Sequence, residues 1–137
     1  MAESSEDDWE MTGCHLRNKI KLFNNNYQSL SFKLNSHLSM HSAPLPANFD
    51  FESTIPLWNV NFQLNEISRE FIFEDFKMAF QFMTESASYA EEINHHPDWS
   101  NSWNNVKVRL TTHSSPGLTN LDIRLAQKMD ELALTIA

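Results

Sequence analysis

From Asp75 to Ile93 the chain contains neither glycine nor proline, and its apolar residues recur at helical spacing. Phe76, Ala79, Phe80, Met83, Ala87 and Ala90 form one stripe, and Met78, Phe82, Tyr89 and Ile93 form another. At about 100° per residue the two stripes lie roughly opposite each other. A helix on the surface of a monomer needs only one apolar stripe. Two opposed stripes fit a helix buried between layers of one chain, or one that packs on its own sheet and, with its other face, on a second subunit. A chain of 137 residues has helices for one layer only, which favours the subunit contact.

Around this helix the pattern changes to alternation. Val60, Phe62 and Leu64 alternate with Asn59, Asn61 and Gln63, which predicts a half-buried strand. Asn65 to Ser68 can turn, and Arg69 to Phe73 reads as a second strand forming an antiparallel hairpin with the first. Asn94 to Ser102 reads as a loop, because Pro97 disfavours helical geometry at His96. Trp103 to His113 predicts a strand with Val106, Val108, Leu110 and Thr112 on one face. Pro116-Gly117 turns the chain. Thr119 and Asp122 have capping-box spacing at the start of a last helix, whose core stripe is Leu118, Leu121, Leu125, Met129, Leu132 and Ile136. The order strand, strand, helix, strand, helix predicts an α+β domain, its strands in an antiparallel sheet with helices packed on one face. An open sheet edge would be covered by pairing with a second subunit.

The N-terminal part is different in kind. Residues 1–10 carry five acids and no base, while residues 11–49 carry no acid against Arg17, Lys19, Lys21 and Lys33. The first ten read as a disordered acidic tail. The stretch after them has only partial periodicities, broken by Asn24-Asn25-Asn26 and by Ala43-Pro44-Leu45-Pro46. Residues 1–48 are therefore expected to be a poorly specified, partly disordered extension, and residues 49–137 the domain. The net charge of −8 disfavours direct nucleic-acid binding. No apolar run approaches the length of a membrane span. The N-terminus lacks the apolar core of a secretory signal. A single cysteine, Cys14, rules out an intrachain disulfide and fits a reducing compartment, so a cytoplasmic location is expected, with the nucleus as a second. The acid-free serine-containing stretch faintly resembles an organelle transit peptide, but the acidic first ten residues argue against one.

Chemistry concentrates at the end of the long helix. His95 and His96 lie on the loop leaving it, and His113 lies at the end of the next strand. Imidazole titrates near neutrality, so it can accept and donate a proton in one cycle. Glu91 precedes His95 by one helical turn and could orient it or raise its basicity. Trp99 and Trp103 offer flat surfaces suited to a planar heterocycle, or simply core. Asp122 could hold a polar ligand or serve the cap. Adjacent histidines rarely ligate one metal together, and no cysteine or further spaced histidine completes a set, so no metal is expected. His37 and His41 have i,i+4 spacing without further support.

At this point the sequence resembles a known family. Glu91-x3-His95-His96-Pro97-x-Trp99-x-Asn101-x-Trp103-Asn104-x-Val106, continuing as Leu110-Thr111-Thr112-His113-x3-Gly117-Leu118-Thr119-x2-Asp122, is similar to the signature of the pterin-4a-carbinolamine dehydratases. Phe71-x-Phe73-x-Asp75-Phe76-x2-Ala79-Phe80-x-Phe82-Met83 resembles the family's passage from strand to helix. Trp58 stands where the family has a Trp opening its first strand. The resemblance runs from Trp58 to the C-terminus.

It implies dehydration of 4a-hydroxytetrahydropterin to quinonoid dihydropterin, without metal or organic cofactor. His95, His96 and His113 would surround the reacting edge of the pterin. Glu91 would support the site, Pro97 and Trp99 would shape it, and Asp122 would lie near it. The resemblance also implies a four-stranded antiparallel sheet with helices packed on one face, and a homodimer or homotetramer through the helix at 75–93 and the sheet edge. A non-catalytic role is the alternative, with the chain acting as a dimerisation cofactor of a transcription factor; a molybdopterin-linked or plastid role is a third. Three departures stand out. Asn94 replaces an acid common before the two histidines, Leu121 replaces an Arg common before the Asp, and residues 11–55 lack the family's usual opening helix.

Overall fold

The computed structural model describes residues 41–137; the acidic tail expected over 1–10 and the weakly patterned stretch up to residue 40, Cys14 and His37 included, lie outside the described residues. The elements are α1 (Phe51–Thr54), β1 (Asn59–Asn61), β2 (Glu66–Ile72), α2 (Phe76–Glu92), β3 (Asp98–Ser102), β4 (Asn105–Leu110) and α3 (Asn120–Ile136). The four strands form one antiparallel sheet in the order β1-β2-β4-β3. This is the α+β architecture expected from the order of elements.

Strand alternation decides which face carries the helices. Ile67 pairs with Leu110 and Phe71 with Val106, and all four are buried. Their neighbours Glu70, Lys107 and Arg109 point the other way into solvent, where Arg109 pairs with Asp98 and lies 3.9 Å from Glu66. Against the apolar face lie α2 and α3. Phe82 of α2 is fully buried, with ring centroids 4.6 Å from Phe71 and 5.1 Å from Phe73. Burying such a side chain contributes roughly 1.5–3 kcal/mol.

The buried line of α2 is Ala79, Phe82, Ser86 and Ala90, continued by Ile93 beyond its end. It draws on both of the stripes seen in the sequence. Phe76 and Phe80, expected on the first stripe, are 48% and 56% exposed, with ring centroids 5.7 Å apart. The small side chains Ala79, Ser86 and Ala90 let α3 approach closely; Ser86 is buried with no hydrogen-bond partner for its hydroxyl among the described residues. Helix α3 is buried on most of its circumference, through Leu121, Ile123, Leu125, Ala126, Met129 and Leu132. Its Asp130 accepts a hydrogen bond from Trp58 Nε1 at 2.8 Å and pairs with Arg69, whose guanidinium lies 4.4 Å from the Phe71 ring centre.

The strand boundaries differ from expectation for local reasons. The first strand ends at Asn61, not Leu64. Asn61 Oδ1 accepts the amide hydrogens of Gln63 and Leu64, both at 3.1 Å, so its side chain closes a turn. Asn65 completes that turn with φ 51°, and Phe62 and Leu64 are left 70% and 62% exposed. Ser68, expected in the turn, belongs to β2. The stretch expected as a loop through Ser102 holds β3, which is polar throughout except for Trp99. As an edge strand it is carried by backbone pairing with β4 rather than by apolar alternation. The next strand starts at Asn105, because Trp103 takes the left-handed conformation, φ 52°, at the hairpin tip.

Residues 43–45 run beside the start of α3. Ala43 N–H donates to Asn120 Oδ1 at 2.7 Å, Asn120 N–H donates back to the Ala43 carbonyl at 3.0 Å, and Leu45 pairs with Leu118. Between them and β1 the only regular element among the described residues is α1, a single turn capped by Asp50.

Candidate active site

The end of α2 builds the site. Ile93 is its C-cap, and Asn94 follows with φ 50°. Asn94 N–H donates to the Glu91 carbonyl at 3.1 Å and His95 N–H to the Ala90 carbonyl at 3.0 Å. This pair of bonds with a left-handed residue between them is a Schellman ending, and asparagine is among the few side chains that accept that conformation cheaply. Pro97, three residues beyond Asn94, cannot be what stops the helix; Asn94 does. The reversal sends the next two side chains to different places.

His95 goes inward. It is 8% exposed, and its Nε2 lies 2.8 Å from Asp122 Oδ1. Asp122, in the first turn of α3, is fully buried. Its Oδ2 accepts from Thr112 Oγ1 at 2.7 Å and from Thr119 N–H at 2.8 Å, and the two threonine hydroxyls are 2.8 Å apart. Asp122 thus serves the cap with one oxygen, which completes the capping box, and meets the histidine with the other.

His96 goes outward. Its Nε2 lies 2.6 Å from Glu91 Oε1, and both side chains are exposed, at 55% and 77%. Glu91 thus partners His96 and not His95, against the expectation from the one-turn spacing. The helix has already ended at His95, so helical spacing no longer applies there.

The remaining expected residues lie on the strands and turns that follow. Pro97 and Trp99 are half-buried, and Trp99 rests against the core opposite Val108. His113 is exposed on the turn after β4, one residue beyond Thr112, and makes no hydrogen bond to another described residue. Trp103 is at the far end of β3 from Pro97, 66% exposed, and takes no part in this cluster. Asn101 and Asn104 are structural: Asn101 Nδ2 donates to the carbonyls of Trp103 and Asn105, and Asn104 Nδ2 to that of Phe73. Leu121, where an Arg had been expected, is buried. Among the described residues no three His, Cys, Asp or Glu side chains group to hold a metal, and no helix is long and apolar enough to cross a membrane. A groove over β3 and β4, lined by Ser100, Asn101, Ser102, Asn105 and Lys107, contains none of the expected site residues.

Sequence reasoning did not single out Thr112 as part of this network. It reads there as one more inward residue of a strand, and only its pairing with an acid on another element reveals its role.

A profile of the family described as Pterin 4 alpha carbinolamine dehydratase matches residues 47–132. The chain belongs to this family. A Rhizorhabdus wittichii protein provisionally named pterin-4-alpha-carbinolamine dehydratase is 45% identical over 84 residues, covering 61% of this chain and 87% of its own length. A Brucella ovis protein with the same provisional name is 52% identical over 67 residues, covering 49% of this chain and 69% of its own. A crystal structure described as a transcriptional coactivator/pterin dehydratase from Brucella melitensis superposes with a TM-score of 0.60 at 39% identity, covering 66% of this chain and 99% of that one. The matched region holds α1 through most of α3, with the paired histidines, Asp122 and His113 inside it.

Proposed function

We propose that this chain dehydrates 4a-hydroxytetrahydropterin to quinonoid dihydropterin, with histidines as its acid and base. The observation that carries the reading is the pair of adjacent imidazoles with different supports: His95 buried on Asp122, and His96 exposed on Glu91.

The reaction asks for one proton to leave N5 and one to reach the 4a-hydroxyl. The N5 electron pair then forms the C=N bond as the C4a–O bond breaks, and the hydroxyl departs as water. The proton taken equals the proton given, so a base, an acid and solvent exchange suffice, and no metal or organic cofactor is required. Asp122 holds the His95 ring through Nε2, which suits His95 to receive a proton on its other nitrogen. An exposed imidazole exchanges readily with water, which suits His96 or His113 to supply one. Pro97 and Trp99 would shape the pocket for the flat ring, Glu91 would hold His96, and Asp122 would hold His95. Turnover should be measured in a coupled pterin-recycling assay. Alanine at both His95 and His96 is expected to abolish it, and full retained activity would overturn the reading.

The same fold would act as a homodimer or homotetramer in the cytoplasm. Phe76 and Phe80 of α2 support an association surface, as does β3 at the edge of the sheet, which pairs with no further strand among the described residues. A second reading, a dimerisation cofactor for a transcription factor, is supported by the description of the Brucella melitensis structure as a transcriptional coactivator as well as a dehydratase. A pull-down that recovers a heteromeric helix partner lost on Phe80→Glu would favour it; intact turnover with no such partner would leave the enzyme alone.

A further inference from the structure

The buried carboxylate of Asp122 receives its donors in a fixed arrangement. The Thr119 amide can only donate, so Asp122 Oδ2 accepts there, at 2.8 Å. Thr112 Oγ1 reaches the same oxygen at 2.7 Å, and the Thr119 hydroxyl, 2.8 Å from Thr112 Oγ1, can donate to it in turn. Oδ1 is left facing His95 Nε2 at 2.8 Å. An ionised carboxylate has no hydrogen to give, so the hydrogen in this last contact must come from the imidazole.

We propose that Thr112 is a positioning residue which, through Asp122, locks His95 in the tautomer with Nε2 protonated and Nδ1 bare, so that Nδ1 is the atom of His95 that exchanges a proton with substrate. The opposite tautomer would set the Nε2 lone pair against Oδ1 in a buried contact with no hydrogen between them, the costly case for polar groups. His95 Nδ1 bonds to no other described residue. It is the one nitrogen of this ring available for proton transfer.

Thr112 is the informative member of the network. Asp122 and Thr119 also cap α3, so changing either disturbs the helix start as well as the histidine. Thr112 belongs to no cap. Its hydroxyl touches the carboxylate on the oxygen away from His95, which fixes the plane of the carboxylate and hence the direction of Oδ1.

The tautomer stands independently of the dehydratase reading; only its catalytic meaning rests on that reading. The test is long-range ¹H–¹⁵N correlation on the full chain with ¹⁵N-labelled histidine, with His95 assigned by its loss in His95→Gln. The wild type is expected to show a protonated Nε2 and a bare Nδ1 in the neutral form of the ring. Thr112→Val should move both nitrogens toward averaged shifts, and Thr112→Ser should keep the wild-type pattern. A wild-type His95 protonated on Nδ1, or a Thr112→Val spectrum identical to wild type, overturns the proposal. In the recycling assay Thr112→Val should lower kcat by roughly tenfold with KM little changed, and Thr112→Ser should restore it. If no variant and not even the wild type turns over substrate, the dehydratase reading fails while the tautomer result stands.

Discussion

Glu91 reaches past His95 to His96: its Oε1 lies 2.6 Å from His96 Nε2, and both side chains stand in solvent. An exposed pair of this kind contributes under about 1 kcal/mol to folding. Glu91→Gln and His96→Gln should therefore leave the urea midpoint nearly unchanged. If His96 works in proton transfer, both should still lower turnover, His96→Gln by about a hundredfold or more and Glu91→Gln by less. Turnover and denaturation measured on the same preparations check this.

Asp122 should behave in the opposite manner. It is fully buried and holds His95, Thr112 and the Thr119 amide at once. Asp122→Asn keeps the Thr112 and Thr119 contacts only by turning its amide nitrogen, a donor, toward His95 Nε2, which excludes the tautomer with Nε2 protonated. A loss of about 1–3 kcal/mol is expected together with a large fall in kcat, so stability and activity drop together here and separate at Glu91.

Asn94 divides the two histidines by adopting φ 50°. Asn94→Gly should keep both stability and turnover. Asn94→Val forces a β-branched residue into the left-handed region and should cost roughly 1–2 kcal/mol, with a loss of turnover because both histidines are re-aimed. Thermal melts and assay of the two variants side by side separate this conformational demand from any need for the amide group.

The contrast between Asn94 and Val106 explains what was readable in the chain. Val106, Val108 and Leu110 declare their buried face by alternation alone, and Thr119 and Asp122 declare a cap by spacing, so sheet, helices and the α3 start were all legible. Strand ends were not, because Asn61, Asn65 and Trp103 end or turn them by side-chain hydrogen bonds and left-handed backbone that no hydropathy pattern carries. Strand β3 was missed since its pairing lies in the backbone of a polar edge. In the site, the residues were legible but their pairing was not. Glu91 meets His96 because the helix has already ended, and Thr112 meets Asp122 across two elements.

Phe76 and Phe80 lie side by side on α2, about half exposed. If they bury a subunit contact, Phe76→Ser with Phe80→Ser should reduce the sedimentation coefficient to that of a smaller species without unfolding the chain. An unchanged coefficient would move the contact elsewhere, with the β3 edge as the next surface to alter.

Asp50 gives a small acid sensitivity at α1. The side-chain hydrogen bond of Ser53, then its backbone N–H, hold the Asp50 carboxyl below its ordinary value of 3.8. A lowered folded-state value means that its contribution is present above the ordinary value and is lost as pH falls through the folded one. Asp50→Asn should thus differ from wild type in thermal midpoint near neutrality, and the difference should shrink as pH falls below the ordinary carboxyl value of 3.8. Melting curves across that range test the sign.

The most direct test of the whole account is the rate at which freshly generated 4a-hydroxytetrahydropterin loses water, followed with and without the purified wild-type chain. The account predicts an acceleration over the spontaneous reaction that is proportional to protein concentration. A rate equal to the spontaneous one, from folded protein, would contradict it.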